Sequence, residues 1–342
     1  MEHIDLTDYG KPVSKEVTGA QLLTSKYELM PCLIDPILQR VGIACLAGSS
    51  DTGKSTLLRQ LAIAITTGES KFLDFNINAT HRSVICVITE DMEAETSFLL
   101  KRQAGNRAEY ELQKLRFIFD SEDTLKTLDE SLTNQPADAV IIDCFSDVFS
   151  SAGGDLKDTQ KIRSFLNPFQ ELARKHQCLV LFLHHTGKRT EQFEPSKNNL
   201  LSGQGFEAKV RLVIEFRADL INPALRHFCI VKGNYLHGRY KKESFVLHFD
   251  ENTFLFTDTG ERMPFEMLAK KDESENHRNK YQVAIDLKKS GLTHQEIADK
   301  IGYTSRGSVT KLFERGTRNG WDKSSDSITE VEKVQVEEVV PF

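Results

Sequence analysis

The chain has 342 residues, enough for roughly two domains. Its content of 39% hydrophobic and 27% charged residues fits a soluble globular protein. A net charge of −6 excludes a surface that binds polyanions throughout, so any nucleic-acid site must be a local patch. Residues 1–30 are mixed and polar and read as a partly ordered arm. Met1-Glu2-His3-Ile4-Asp5 carries acids and no apolar h-region, so no signal peptide is expected. No apolar run approaches the ~20 residues that cross a bilayer. A cytoplasmic protein with no membrane partner is expected.

From 31 to 262 strand-like and helix-like stretches alternate. Strands are expected at 41–47, Ser83–Thr89, Leu115–Phe119, Ala139–Ile142, Cys178–Leu183, Val210–Glu215, His227–Lys232, Phe245–Asp250 and Phe254–Thr257. The first five are short, apolar and rich in β-branched residues, with helix-sized segments between most of them. That pattern predicts an α/β fold, a mostly parallel sheet flanked by helices on both faces. The last few strands are closely spaced and should pair as antiparallel hairpins. Lys188–Leu200 is polar, contains Pro195 and paired asparagines, and reads as a mobile loop. The cysteines Cys32, Cys45, Cys86, Cys144, Cys178 and Cys229 form no C-x-x-C pair. They are expected as small buried thiols in a reducing compartment, not as a disulfide or zinc framework.

Gly48-Ser49-Ser50-Asp51-Thr52-Gly53-Lys54-Ser55 reads G-x-x-x-x-G-K-S and follows an apolar strand-like run. Thr56 opens a stretch of helical periodicity. Strand, glycine loop and helix N-terminus converge backbone N–H groups and a helix dipole on one point, which suits a polyphosphate. Lys54 would reach the β- and γ-phosphates of a nucleoside triphosphate, and the Ser55 hydroxyl would ligate Mg²⁺.

Four further elements follow. Val84–Ile88 leads to Thr89-Glu90-Asp91, and ligands of open α/β sheets bind at the carboxyl ends of the strands. Glu90 there would orient or deprotonate an attacking water; the other reading is a solvated acid at a helix start. Ala139-Val140-Ile141-Ile142-Asp143 has the Walker B form, with Asp143 supporting Mg²⁺. Leu179–Leu183 ends in His184-His185, either of which could sense the γ-phosphate. Ser202–Arg211 leads into the next strand, with Arg211 either an arginine finger for a neighbouring site or a surface ion-pair residue.

In this order, Leu33-Ile34-Asp35, Gly48–Ser55, Glu90-Asp91, Asp143, His184-His185 and Ser202–Arg211 resemble the RecA-like P-loop ATPases of the RepA-type hexameric helicase family, over roughly residues 31–260. The resemblance implies ATP and Mg²⁺ as cofactors and rings with nucleotide sites between subunits. It puts the family's roles on Lys54, Ser55, Glu90, Asp143, His184 or His185, and a trans-acting Arg211. The family commonly has glycine where Asp51 stands. It usually reads R-G-S where this chain has Ser202-Gly203-Gln204. Lys232 and Arg239 are rival trans-acting candidates and resemble the family's late K-x-N element.

Residues 263–278 are charged without apolar rhythm and read as a linker. Residues 279–323 read as a small all-α domain. Tyr281–Lys289 is amphipathic, Thr293–Glu296 is a capping box, Gly302-Tyr303-Thr304 is a turn, and a further helix spans Ser305–Arg315. The spacing resembles a helix-turn-helix, whose second helix enters the major groove of duplex DNA. Residues 276–323 hold ten Lys/Arg against five Asp/Glu, the local excess that DNA binding requires. Arg306, Lys311, Arg315 and Arg318 are the expected contacts. A helical oligomerisation or docking module is the alternative. Residues 324–342 read as an acidic tail ending in Pro341-Phe342. That tip resembles the one with which bacterial single-stranded DNA-binding proteins dock replication partners; a solubilising tail or a short wing strand are the alternatives. The combined expectation is an ATP-hydrolysing ring motor, a homohexamer moving on single-stranded DNA in replication of a plasmid, phage or integrative element. The alternative is an ATP-gated DNA-binding regulator or loader that does not unwind.

Overall fold

The structure, a computed structural model, describes residues 16–25, 29–120, 122–201, 203–270 and 273–321. The expected acidic tail with its Pro341-Phe342 tip, most of the expected N-terminal arm, and Ser202 lie outside the described residues. The chain divides into two compact units, Met1–Lys270 and Lys271–Phe342.

The strands of the first unit are, in chain order, β1 (Cys32–Asp35), β2 (Leu38–Gln39), β3 (Gly42–Gly48), β4 (Lys71–Phe72), β5 (Phe75–Ile77), β6 (Val84–Ile88), β7 (Leu115–Ile118), β8 (Ala139–Asp143), β9 (Leu179–His185), β10 (Leu212–Ala218), β11 (Leu225–Gly233), β12 (Glu243–Asp250) and β13 (Leu255–Pro264). Its helices are α1 (Gly19–Leu23), α2 (Lys54–Thr67), α3 (Glu93–Ala104), α4 (Thr124–Asn134), α5 (Phe145–Ser151), α6 (Thr159–His176) and α7 (Gly203–Glu207).

All nine expected strands form one sheet in the order β13-β12-β11-β10-β3-β9-β8-β6-β7. From β10 through β7 the neighbours are parallel, and β10 to β13 pair antiparallel. β1, β2, β4 and β5 form a second, antiparallel sheet that sequence reading missed, because strands of two to four residues carry no readable period.

The parallel strands are apolar on both faces because both faces are covered. In β3, Ala44 and Leu46 join one core with Leu57, Leu61 and Ile65 of α2. Ile43, Cys45 and Ala47 join the other with Leu128 of α4, Phe145 and Phe149 of α5, and Leu166 and Phe169 of α6. Much of the abundant phenylalanine packs here. Phe145 meets Phe206 at 4.6 Å, Phe149 at 5.4 Å and Phe182 at 5.7 Å between ring centroids. Each fully buried ring contributes about 1.5–3 kcal/mol. All the cysteines are buried and free.

Two expectations are corrected. Lys188–Leu200 is fastened, with short 3₁₀ turns at Thr190–Gln192 and Lys197–Asn199. Of the expected linker 263–278, residues 263–270 are built into the first unit. β13 runs to Pro264, and Phe265 and Leu268 of the following 3₁₀ turn bury against Cys229. Two anchors spaced i, i+3 in a charged segment give no rhythm to read.

The second unit has α8 (Glu273–Lys289), α9 (His294–Ile301) and α10 (Arg306–Arg318). Tyr281, Ala284, Ile297, Ala298, Ile301, Val309 and Leu312 form its core. The capping box is made: Thr293 N–H donates to Glu296 Oε2 (2.8 Å), and Glu296 N–H donates to Thr293 Oγ1 (3.4 Å). Gly302 ends α9 at φ 74°. No described helix is long and apolar enough to cross a membrane.

Candidate functional site

Parallel pairing brings the carboxyl ends of β3, β6, β8 and β9 to one edge. Gly48 lies opposite His185, and Ile88 opposite Asp143. At this edge the chain turns from β3 through residues 49–53 into α2. Gly48 has no room for a side chain, since a Cβ there would lie 2.3 Å from Phe216 O. Gly53 has φ +89°, and its Cβ would lie 2.9 Å from Phe256 Cζ. Asp51 sits at φ 63°. That left-handed conformation is glycine's by default and is tolerated by Asp and Asn, which explains how an aspartate stands where glycine is common.

The loop is closed on itself. Lys54 Nζ donates to Ser49 O (2.7 Å), and Thr52 Oγ1 donates to the same carbonyl (3.0 Å). Burial lowers the Lys54 pKa; the nearby acids Asp143, Glu90 and Asp51 pull it back up. Ser50 is exposed, and Thr56 continues α2 behind Ser55. Arg226 of β11 donates through Nε to Thr52 O (2.9 Å). Sequence reading missed this contact, which spans 174 positions and leaves no local signal.

Asp143 is buried, and desolvation pushes its carboxyl up to about 6. The Ser55 hydroxyl donates to it, while Oδ1 finds no hydrogen-bond partner among the described residues. Thr89 ties β6 to β8: its hydroxyl bonds Asp143 O (3.0 Å) and Asp147 Oδ2 (2.7 Å) and accepts from Cys144 N–H (3.0 Å). The next residue, Glu90, points outward with 53% of its side chain exposed. Asp91 turns instead to Arg59 (3.9 Å).

The two histidines separate. His185 Nε2 lies 3.7 Å from Glu90 Oε1. His184 alternates to the other face, where it is fully buried between Phe145 (4.9 Å) and Phe206 (4.8 Å), and its Nε2 bonds Leu201 O (2.9 Å). Burial lowers its pKa to about 3, so the ring is neutral. The structure therefore brings His185, and not His184, to the acids.

Residues 20–191 match the family described as AAA domain. The chain belongs to that family. A solved structure of another protein's ATPase domain resembles the chain with a TM-score of 0.51 at 13% identity, covering 64% of this chain and 85% of that one. At that identity the likeness is one of fold. A search of curated proteins finds no match. The family and the fold together support a RecA-like ATPase core.

The expected trans-acting residues lie outside the phosphate loop of their own AAA-domain chain. Arg211 is exposed, and its N–H donates to Ile43 O at the start of β3. The loop lies beyond the far end of that strand, about 16 Å away at ~3.3 Å per residue. Lys232 is held by Glu207, through Nζ to the backbone O (2.6 Å) and to Oε1 (2.8 Å). Arg239 is exposed and stacks over Tyr240 (4.9 Å). In the second unit Arg306, Lys311, Arg315 and Arg318 are all exposed on α10. The last three, at i, i+4 and i+7, share a face. They line a groove of about 570 Å³ with Tyr303 and Ser308.

Proposed function

We propose that this AAA-domain protein hydrolyses ATP with Mg²⁺ and acts on DNA as a ring-forming, helicase-like motor. The observation that carries the reading is the convergence of Lys54, Asp143, Glu90 and His185 at one sheet edge, with Asp143 bonded by Ser55 and its buried Oδ1 without a hydrogen-bond partner among the described residues. The donors fit the cofactors. Gly48 through Thr56 give backbone N–H groups at a helix N-terminus for the phosphates, and Lys54 can exchange Ser49 O for a phosphate oxygen. Ser55 and Asp143 are hard oxygen ligands suited to Mg²⁺, which would supply positive charge against the charge developing on the phosphates. Glu90, whose side chain is exposed, takes the proton of the attacking water. His185, within reach of Glu90, responds to what lies between them. Arg211 serves a neighbouring copy, which its exposure at the opposite sheet edge permits.

The basic face of α10 supports DNA as the partner, with the second unit working as a helix-turn-helix on duplex DNA. It equally favours the second reading, an ATP-gated regulator or loader that selects a DNA site without unwinding. The element context (plasmid, phage or integrative element), the homohexamer and the recruitment of replication proteins by Pro341-Phe342 belong to the motor reading. A forked-duplex unwinding assay with the full chain, ATP and Mg²⁺, run beside native mass, separates the two. Strand separation by an assembly of about six chains supports the motor. Tight duplex binding with no strand separation supports the regulator.

A further inference from the structure

Beside the phosphate loop, the ends of β6, β8 and β9 bring together a second and chemically different donor set. Glu90 Oε1 lies 3.5 Å from Cys144 Sγ and 3.7 Å from His185 Nε2. All three donor atoms lie within 4.8 Å of one another. A tetrahedral zinc ion with bonds of ~2.3 Å to sulfur and ~2.0–2.1 Å to nitrogen and oxygen holds its donors about 3.4–3.6 Å apart. The Glu90–Cys144 separation already meets that spacing and the Glu90–His185 separation lies just above it, so side-chain rotation completes the set. The three residues stand at or just past the ends of three strands, which is why cysteine spacing along the chain gives no sign of it.

We propose that Glu90, Cys144 and His185 form a binding site for one Zn²⁺-class cation, and that its occupancy stops ATP hydrolysis by withdrawing Glu90. The inhibitory half rests on the water-activating role proposed for Glu90; the binding half does not. Thiolate and imidazole select borderline and soft cations, whereas Ser55 and Asp143 offer only hard oxygen ligands, so Mg²⁺ and Zn²⁺ divide between the two sets. The chemistry is ligand exchange without oxidation. The Cys144 sulfur bonds the metal and its proton leaves to solvent, His185 gives the Nε2 lone pair, and Glu90 gives a carboxylate oxygen. Solvent keeps the fourth position and reaches Glu90 and His185, whose side chains are 53% and 27% exposed, while Cys144 is buried.

The test uses the full chain without nucleotide and Co²⁺ as the spectroscopic probe. One equivalent of Co²⁺ should produce a thiolate-to-cobalt charge-transfer absorption that Zn²⁺ abolishes by displacement. Cys144→Ser and Cys144→Ala should both lack the band while keeping the wild-type far-ultraviolet circular dichroism. His185→Ala should bind about tenfold more weakly or worse. No band in the wild type, or a band that survives in both Cys144 variants, overturns the site. In parallel, Zn²⁺ added under excess Mg²⁺ should lower phosphate release by the wild type. Each Cys144 variant, compared with its own zinc-free rate, should resist. A cobalt band together with zinc-indifferent hydrolysis overturns the inhibitory half alone. Absence of any hydrolysis refutes the proposed function and leaves the cobalt result standing.

Discussion

Gly48 is fixed by a backbone atom rather than by a flexible side chain. A methyl group there meets Phe216 O at 2.3 Å, and the backbone of Phe216, paired with Phe228 of β11, cannot easily step aside. Gly48→Ala should therefore cost about 1–3 kcal/mol and remove the rise in melting temperature that ATP with Mg²⁺ gives the wild type. A variant that melts like the wild type and keeps that rise contradicts the close approach. His184 gives a second residue-scale test. Burial lowers its pKa from 6.5 to about 3; the Leu201 carbonyl opposes the shift, and His185 and Lys54 add to it. As pH falls the unfolded chain takes up this proton first. The stability contribution is therefore complete above about 6.5 and is lost progressively from there down toward 3. His184→Gln should flatten that part of the profile, a slope of up to about 1.4 kcal/mol per pH unit, in urea melts across acid pH. An unchanged slope contradicts a buried neutral imidazole.

The loop between β9 and β10 shows what an element can hide from its sequence. Glu215 in β10 is 2% exposed and accepts from Ser196 N–H (2.8 Å), Asn199 Nδ2 (3.0 Å) and Arg217 Nε (2.7 Å). Arg217 in turn donates to Phe193 O (2.7 Å), Thr190 O (3.1 Å) and Leu268 O (3.3 Å). Burial raises the Glu215 pKa, and Arg217 is the chief group pulling it back. Arg217→Ala leaves that carboxylate buried without its cation, a loss of about 3–5 kcal/mol. Trypsin should then cut at Lys188, Arg189 or Lys197 well before the wild type is cut; equal resistance contradicts the clamp. The polar composition of 188–200 predicted mobility because the partners that fasten it lie outside the segment. Signals carried within one short stretch were legible: the glycine loop, the buried strands and the Thr293 capping box. Signals that depend on pairing across the fold were not. These include Arg226 on Thr52 O, the separation of His184 from His185 by strand alternation, and the two-residue strands of the small sheet.

At the scale of the whole molecule, the phosphate loop lies at one edge of the sheet and Arg211 at the opposite one, so the trans-acting role proposed for Arg211 needs a second copy. Arg211→Ala and Lys54→Ala should each be inactive alone, and mixed assemblies should regain hydrolysis at sites where intact halves meet. No recovery at any mixing ratio contradicts a trans-acting Arg211. Gly48–Ser55, Glu90 and Asp143 are proposed to form one ATP-hydrolysing centre directed toward DNA. Phosphate release from ATP with Mg²⁺, measured with and without single-stranded DNA, tests it most directly. The wild type should hydrolyse and be stimulated by the DNA. Glu90→Gln should lose about 10²–10⁴-fold in rate while still binding ATP, and Lys54→Ala should lose both. Hydrolysis that persists in Glu90→Gln, or a wild type indifferent to DNA, would contradict such a centre.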